Sequence, residues 1–338
     1  MKKSLNELFK SFLILTILAS SAYIYYIYTP SSVKNINHQI NSSNPEVFDK
    51  NRLKLSSELE KYLSKGLPKD TGKTPTLLHL FLGNQRKLID LRINQAVENI
   101  KNVGLKTNSA QITSLINMGA IVKTTNHVIA FDAVNMPLSS SQKQLVNLTD
   151  IFLVTHSDGD HYDPTLLKKV LEEGKTVIFP DNFKFLYEDS NYNNIHKLKN
   201  GESVTLNGVK ITAYQTDHRL DRNFNEPNAW YLVDVDNFKI LHTGDGIEFK
   251  DKTSRQQLNG MKDIDIFLVN AKIHPYDIRD IHPKLAVPLH LFKFLHNREE
   301  LNQSTFSYVN NIYGQYQSDL KDIDIKFLFP GESTIFNN

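Results

Sequence analysis

Apolar residues follow two regimes along the chain, with the change near residue 104. Before it they recur three and four positions apart. Over 45–64 the series is Val47, Leu53, Leu55, Leu59, Tyr62 and Leu63, and over 76–101 it includes Leu77, Leu80, Phe81, Leu88, Leu91, Val97 and Ile100. The spacing predicts a surface helix over 45–64 and another helix over 76–101. Residues 29–50 are rich in Ser, Asn and Pro without a period and read as a linker, and 65–75 reads as a loop. From Gln111 the pattern becomes short apolar runs broken by turn residues. Strands are predicted at 112–116, 120–123, 127–132, 150–155, 176–179, 203–206, 210–214, 229–235, 239–241, 265–269, 285–289 and 324–329. Asn207-Gly208 is a strong hairpin signal. A helix is predicted over 164–173, with Asp163 as N-cap, Pro164 at the first helical position and Gly174 as stop. Many short strands with a few interspersed helices predict an α/β or α+β sandwich.

The start of the chain changes this picture. Phe12 to Tyr28 is an apolar and aromatic run behind Lys2, Lys3 and Lys10. It reads as an uncleaved membrane anchor at the short end of spanning lengths, with the lysines on the cytoplasmic side and tyrosines at the far boundary. The alternative is a signal peptide cleaved near Ser20 and Ala22, giving a secreted protein. The expected location is thus a single-pass membrane protein with its main domain on the exported, periplasmic or extracellular side. Charge adds a constraint. Lys2, Lys3, Glu7 and Lys10 carry the whole net charge of +2, so the remainder is neutral. That speaks against nucleic acid as a partner. The chain has no cysteine, which removes disulfides, thiolate metal sites and a thiol nucleophile.

Candidate chemistry centres on Ile151–Pro164, IFLVTHSDGDHYDP. A buried strand runs into a loop carrying His156, Asp158, Asp160 and His161. Residues two apart in extended chain face the same side, so His156 and Asp158 can meet one ion while Asp160 and His161 reach a second. Further ligand types stand at later strand exits: His218, Asp245 within His-Thr-Gly-Asp, and His290 after Val-Pro-Leu. Strand exits are where α/β architectures gather their chemistry. His79 reads as a packed histidine and His274 as a loop residue near the mouth of the site. His242 reads as a supporting or core residue.

The ordered set His156-x-Asp158-x-Asp160-His161, His218, Asp245 and His290 resembles the metallo-β-lactamase superfamily, and Asp132 matches its first motif position. The resemblance covers about 105–336, including the closing Phe329-Pro-Gly-Glu. It implies a four-layer αβ/βα sandwich over 105–338, preceded by the anchor or signal at 1–28 and a linker and helical segment at 29–104. It implies two divalent metal ions, one on His156, Asp158 and His218 and the other on Asp160, His161 and His290, bridged by Asp245. Asp132 would support the ligands. Zinc is usual in the family. Asp158 stands where the family has His, which favours manganese or iron. The looser series His218, Arg222, Asn228 and Trp230 resembles the N-acyl-phosphatidylethanolamine phospholipase D-like and ascorbate-phosphate lactonase-like branch, with Arg222 placed to bind phosphate. The implied function is hydrolysis by hydroxide generated at the dinuclear site, with Asp160 or Asp245 accepting the proton. The expected substrate is a small or lipid-derived phosphodiester or phosphoester. Lactone or amide hydrolysis, an anchored nuclease and a non-catalytic metal-binding protein are the alternatives.

Overall fold

In the computed structural model, residues 31–47, 49–64, 83–134, 139–183, 192–217, 227–246, 261–271, 273, 275–292, 294 and 320–338 are described. Six helices of these residues are α1 (Ser31–Asn41), α2 (Lys50–Ser64), α3 (Gly83–Asn102), α4 (Ser140–Leu148), α5 (Pro164–Glu172) and α6 (Pro275–Ile281). The first seven strands are β1 (Ser109–Ser114), β2 (Ala120–Lys123), β3 (Val128–Phe131), β4 (Ile151–Leu153), β5 (Thr176–Pro180), β6 (Ile195–Leu198) and β7 (Ser203–Leu206). The remainder are β8 (Val209–Asp217), β9 (Pro227–Val235), β10 (Phe238–His242), β11 (Ile266–Asn270), β12 (Leu285–Leu289), β13 (Asp324–Ile325) and β14 (Ser333–Asn337).

The strands form two seven-stranded sheets, ordered β14-β1-β2-β3-β4-β5-β6 and β13-β12-β11-β10-β9-β8-β7. One apolar core lies between the sheets, with Ile112, Phe131, Leu153 and Ile178 from the first meeting Ile211, Tyr231, Ile240, Leu268 and Val287 from the second. A second core lies under α1 to α5 on the outer face of the first sheet, and a third covers the outer face of the second around Trp230, Phe267 and Ile278. This is the four-layer α/β sandwich implied by the resemblance. Each fully buried Leu, Ile, Val or Phe contributes about 1.5–3 kcal/mol, so no single one dominates.

What matters for chemistry is strand direction. Strands β3 to β6 run parallel in one sheet, and β10 to β13 run parallel in the other. The exits of β3, β4, β10, β11 and β12 lead to Asp132, the 154–163 loop, Asp245, Asn270 and His290. Parallel strands deliver their carboxyl ends to a common edge. Local signals hold there: the Asp163 side chain caps α5 at Leu166 N (2.8 Å), Pro164 opens the helix, and Gly174 follows it at φ +72°.

The N-terminal expectations need correction. The linker expected over 29–50 contains α1, because Val33, Ile36 and Ile40 share one helical face and bury it among the other helices. Nor is the helix expected over 45–64 a surface helix. Arg52, Leu55, Ser56, Leu59 and Leu63 of α2 are all buried, and α1, α2 and α3 share one apolar core with the first sheet. The predicted anchor or signal at Phe12–Tyr28 and His79 lie outside the described residues. Among the described residues, no helix is long and apolar enough to cross a membrane.

Candidate metal centre

Four of the expected ligands converge. Asp160, His161, Asp245 and His290 each offer a ligand atom, and these atoms lie within 4.8 Å of one another. His161 Nε2 stands 3.4 Å from Asp245 Oδ1 and 3.6 Å from Asp160 Oδ2. His290 Nε2 stands 3.2 Å from Asp160 Oδ2 and 3.7 Å from Asp245 Oδ2. Beside this group, His156 Nε2 lies 3.6 Å from Asp158 Oδ2, and the His156 and His161 rings are 3.9 Å apart at their centroids. His218, Arg222 and His274 lie outside the described residues.

Hydrogen bonding fixes which nitrogen of each imidazole faces the centre. Asp132, fully buried, accepts from Thr155 N and Thr155 Oγ1, both at 2.8 Å, and from His161 Nδ1 at 2.8 Å. A carboxylate only accepts, so His161 carries its proton on Nδ1 and turns Nε2 to the site. Thr155 Oγ1 has spent its proton on Asp132 and therefore accepts from His156 Nδ1 (3.0 Å). That leaves the His156 Nε2 lone pair facing Asp158. One aspartate thereby orients two histidines, the second through a hydroxyl. Asp132 has φ +44° and His290 φ +59°. Non-glycine residues in this region each cost on the order of 1–3 kcal/mol and persist where surrounding contacts over-determine them.

Asp245 is held twice. Asn228 Oδ1 accepts from its backbone N–H (3.1 Å), and Asn270 Nδ2 donates to its Oδ1 (2.9 Å). Asn228 is itself tied to Thr216 Oγ1 (2.8 Å) and Thr243 O (3.0 Å). Trp230 Nε1 donates to Gly246 O (3.3 Å), closing the same turn. Gly244 has φ +52°, and a Cβ there would run into Asn228 and Thr155. The turn packs too tightly for a side chain at that position. His242 is a supporting residue rather than a ligand. Its Nδ1 accepts from Gly244 N (3.2 Å) and its Nε2 therefore donates to Met118 O (3.0 Å). Burial pushes its pKa down, so it stays neutral.

Charge favours a cation here. Burial pulls the His161 pKa down, yet Asp160, Asp245 and Asp132 more than offset it and hold it well above the ordinary histidine value. Burial pushes the Asp132 carboxyl up, and the charge and hydrogen bond of His161 outweigh that and leave it lowered. The same negative field favours a metal ion, which would take the place of the proton on Nε2. The donor set fits a divalent cation on three counts. It mixes carboxylate oxygen with imidazole nitrogen, its atoms converge within 4.8 Å, and His161 Nε2 is buried and makes no hydrogen bond.

No sequence pattern singles out two supporting residues, Asn270, which donates to Asp245, and Asn117, which donates to the backbone carbonyl of Asp160. Asn270 shares only the position of Asp132 and His290, a polar residue closing an apolar run. Asn117 stood inside an ordinary turn.

Residues 111–290 match the Beta-lactamase superfamily domain family. Over 149 residues the chain is 27% identical to the UPF0173 metal-dependent hydrolase of Thermococcus onnurineus, an alignment covering 42% of this chain and 66% of that protein. The structure of Igni18, a metallo hydrolase of Ignicoccus hospitalis, superposes with TM-score 0.50 at 17% identity, over 68% of this chain and 99% of that one. CmlA, a diiron β-hydroxylase of Streptomyces venezuelae, gives TM-score 0.51 at 9% identity, over 70% of this chain and 55% of that one. These two are likenesses of fold. The family match takes in more than half of the residues and ends on His290 itself, and the chain belongs to the metallo-β-lactamase superfamily.

Proposed function

We propose that the chain is a metal-dependent hydrolase acting on a phosphodiester or phosphoester, of small-molecule or lipid-derived kind. The convergence of Asp160, His161, Asp245 and His290 carries the metal-dependent reading, and the relative named a metal-dependent hydrolase supports the reaction class. Asp160, His161, Asp245 and His290 would hold a cation that, when bound, would supply Lewis acidity and lower the pKa of a water toward neutrality. His156 and Asp158, with His218, are the residues that would hold a second cation, and Asp158 favours manganese or iron over zinc.

The remaining work falls to side chains. Asp160 or Asp245 accepts the proton of the attacking water. Asn270 and Asn228 keep Asp245 in one orientation, and Asp132 keeps His161 in the tautomer that presents Nε2. Arg222 supports the phosphoester reading, since a guanidinium pairs two phosphate oxygens at once. Placement on the exported side of a membrane rests on the Phe12–Tyr28 pattern and is part of the same proposal.

The test is turnover by the full chain loaded in turn with zinc, manganese and iron. The panel is bis(p-nitrophenyl) phosphate, a phosphomonoester, a lactone and an amide. Phosphodiester or phosphomonoester hydrolysis that a chelator abolishes and His161→Ala lacks is the expected result. Turnover of lactone or amide alone would overturn the substrate assignment. Full metal loading without turnover of any of the four would favour a metal-binding protein.

A further inference from the structure

We infer that Asn117, in the turn between β1 and β2, is a positioning residue for the metal centre that sets Asp160 and His290 relative to each other. The inference rests on the metal-centre reading above and goes beyond its ligand set. Asn117 is buried, and its backbone is left-handed at φ +52°. Asparagine tolerates that conformation better than most residues with a side chain. Its carbonyl accepts the backbone N–H of His290 (2.8 Å). Its Nδ2 donates to the backbone carbonyl of Asp160 (3.3 Å) and to that of Phe294 (3.4 Å). Its Oδ1 accepts from Phe294 N (3.0 Å).

One side chain therefore joins the loop after β4, which belongs to the first sheet, to the segment after β12, which belongs to the second. His290 and Asp160 come from those two segments, and their facing atoms are 3.2 Å apart. The next residue of the turn continues the pattern, since Met118 O accepts from His242, which supports the Asp245 turn. The β1–β2 turn thus touches three of the segments that build the centre and contributes no ligand to it. Loss of the Asn117 amide would untie the Asp160 loop from the Phe294 segment that follows His290, leaving only the backbone bond from His290 N to Asn117 O. Removing a group that orients a metal ligand weakens metal binding roughly 10–100-fold.

The experiment uses the full chain and Co2+ alone, with affinity read by titration and geometry by the visible d–d spectrum. Asn117→Gly keeps the left-handed backbone and the carbonyl but deletes the side chain. Asn117→Asp keeps an acceptor for Phe294 N and deletes the donor. Both should bind Co2+ roughly tenfold or more weakly, with an altered spectrum. Ile112→Val, a mild core change between the sheets, should lower the melting temperature and leave affinity and spectrum alone. Wild-type affinity and spectrum in both Asn117 variants would overturn the inference. So would failure of both to fold, which would make Asn117 purely structural. If only Asn117→Asp fails to fold, Asn117→Gly decides. Equal Co2+ binding by the wild type and His161→Ala would instead overturn the metal-centre reading.

Discussion

Among the described residues, two clusters of largely buried charge are built on opposite plans. In the first, Arg52 of α2 meets Glu332 through two hydrogen bonds of 2.6 and 3.0 Å. Arg52 also donates to Phe327 O (2.8 Å) and lies over the Phe329 ring at 4.6 Å. Arg92 of α3 donates to Pro330 O, Asn37 and Asn41. Glu332 accepts Phe329 N (2.8 Å), and Gly331, at φ +80°, leaves no room for a Cβ beside the Arg92 backbone. Cation and anion are in direct contact. In the second, three histidines and four carboxylates make two contacts at 2.8 and 3.2 Å and four wider facing pairs at 3.4 to 3.7 Å, longer than good hydrogen bonds. The first cluster ties the N-terminal helices to the Phe-Pro-Gly-Glu turn. The second has anionic excess and donor atoms aimed at a common space. Burial of charge alone does not mark a functional site; convergence of carboxylate and imidazole ligand atoms on one space does.

That contrast can be broken most sharply at His161. Replacement with Ala should abolish metal binding, an effect larger than the roughly 10–100-fold loss from removing a supporting residue. Metal content after chelator competition checks it. Next in size, Glu332→Ala leaves Arg52 buried without its carboxylate and should cost about 3–5 kcal/mol in chemical denaturation. The folded protein should keep its metal affinity. The pair Arg52→Met with Glu332→Leu should recover most of that loss, since a closed ion pair is replaceable by apolar packing.

Smaller effects sharpen the comparison. Asp132→Asn presents an amide that forces a choice between serving Thr155 and serving His161 Nδ1. Metal affinity should fall by about 10–100-fold, read by competition with a chelating dye, with less change in denaturation midpoint than in Glu332→Ala. The least effect is expected at Asp236, in the turn between β9 and β10. Partial burial pushes its carboxyl up, but hydrogen bonds from Thr124, Asn126 and His127 outweigh this and bring it from 3.8 to about 2. A depressed folded-state pKa contributes stability that is complete above the unfolded value and disappears as pH falls through the folded one. Wild type should therefore lose stability relative to Asp236→Asn between about pH 4 and pH 2. Parallel acid melts of the two proteins check it.

How much of this was legible in sequence follows from what is local. The ligand loop could be read because His156 to His161 follow one apolar strand, and Asp245 and His290 repeat the strand-exit pattern. The α5 cap, the Asn207-Gly208 turn and the boundaries of β2, β7 and β12 are likewise local chemistry. Arg52 and Glu332 could not be paired, since 280 positions separate them and nothing local links the Phe-Pro-Gly-Glu turn to α2. Helix α1 was hidden because three apolar residues carry its buried face among Ser, Asn and Gln. Helix α4 escaped notice although Ser139 caps it at Gln142 N. Asn117 reads as any turn asparagine until the partners of its amide, 43 and 177 positions away, are known.

The central claim is that one cation sits among Asp160, His161, Asp245 and His290. Crystals of the full chain soaked in manganese, measured at long wavelength for anomalous scattering, test it most directly. The expected result is a peak bounded by those four side chains, absent in His161→Ala. A map with no peak there, or one unchanged in the variant, would contradict it.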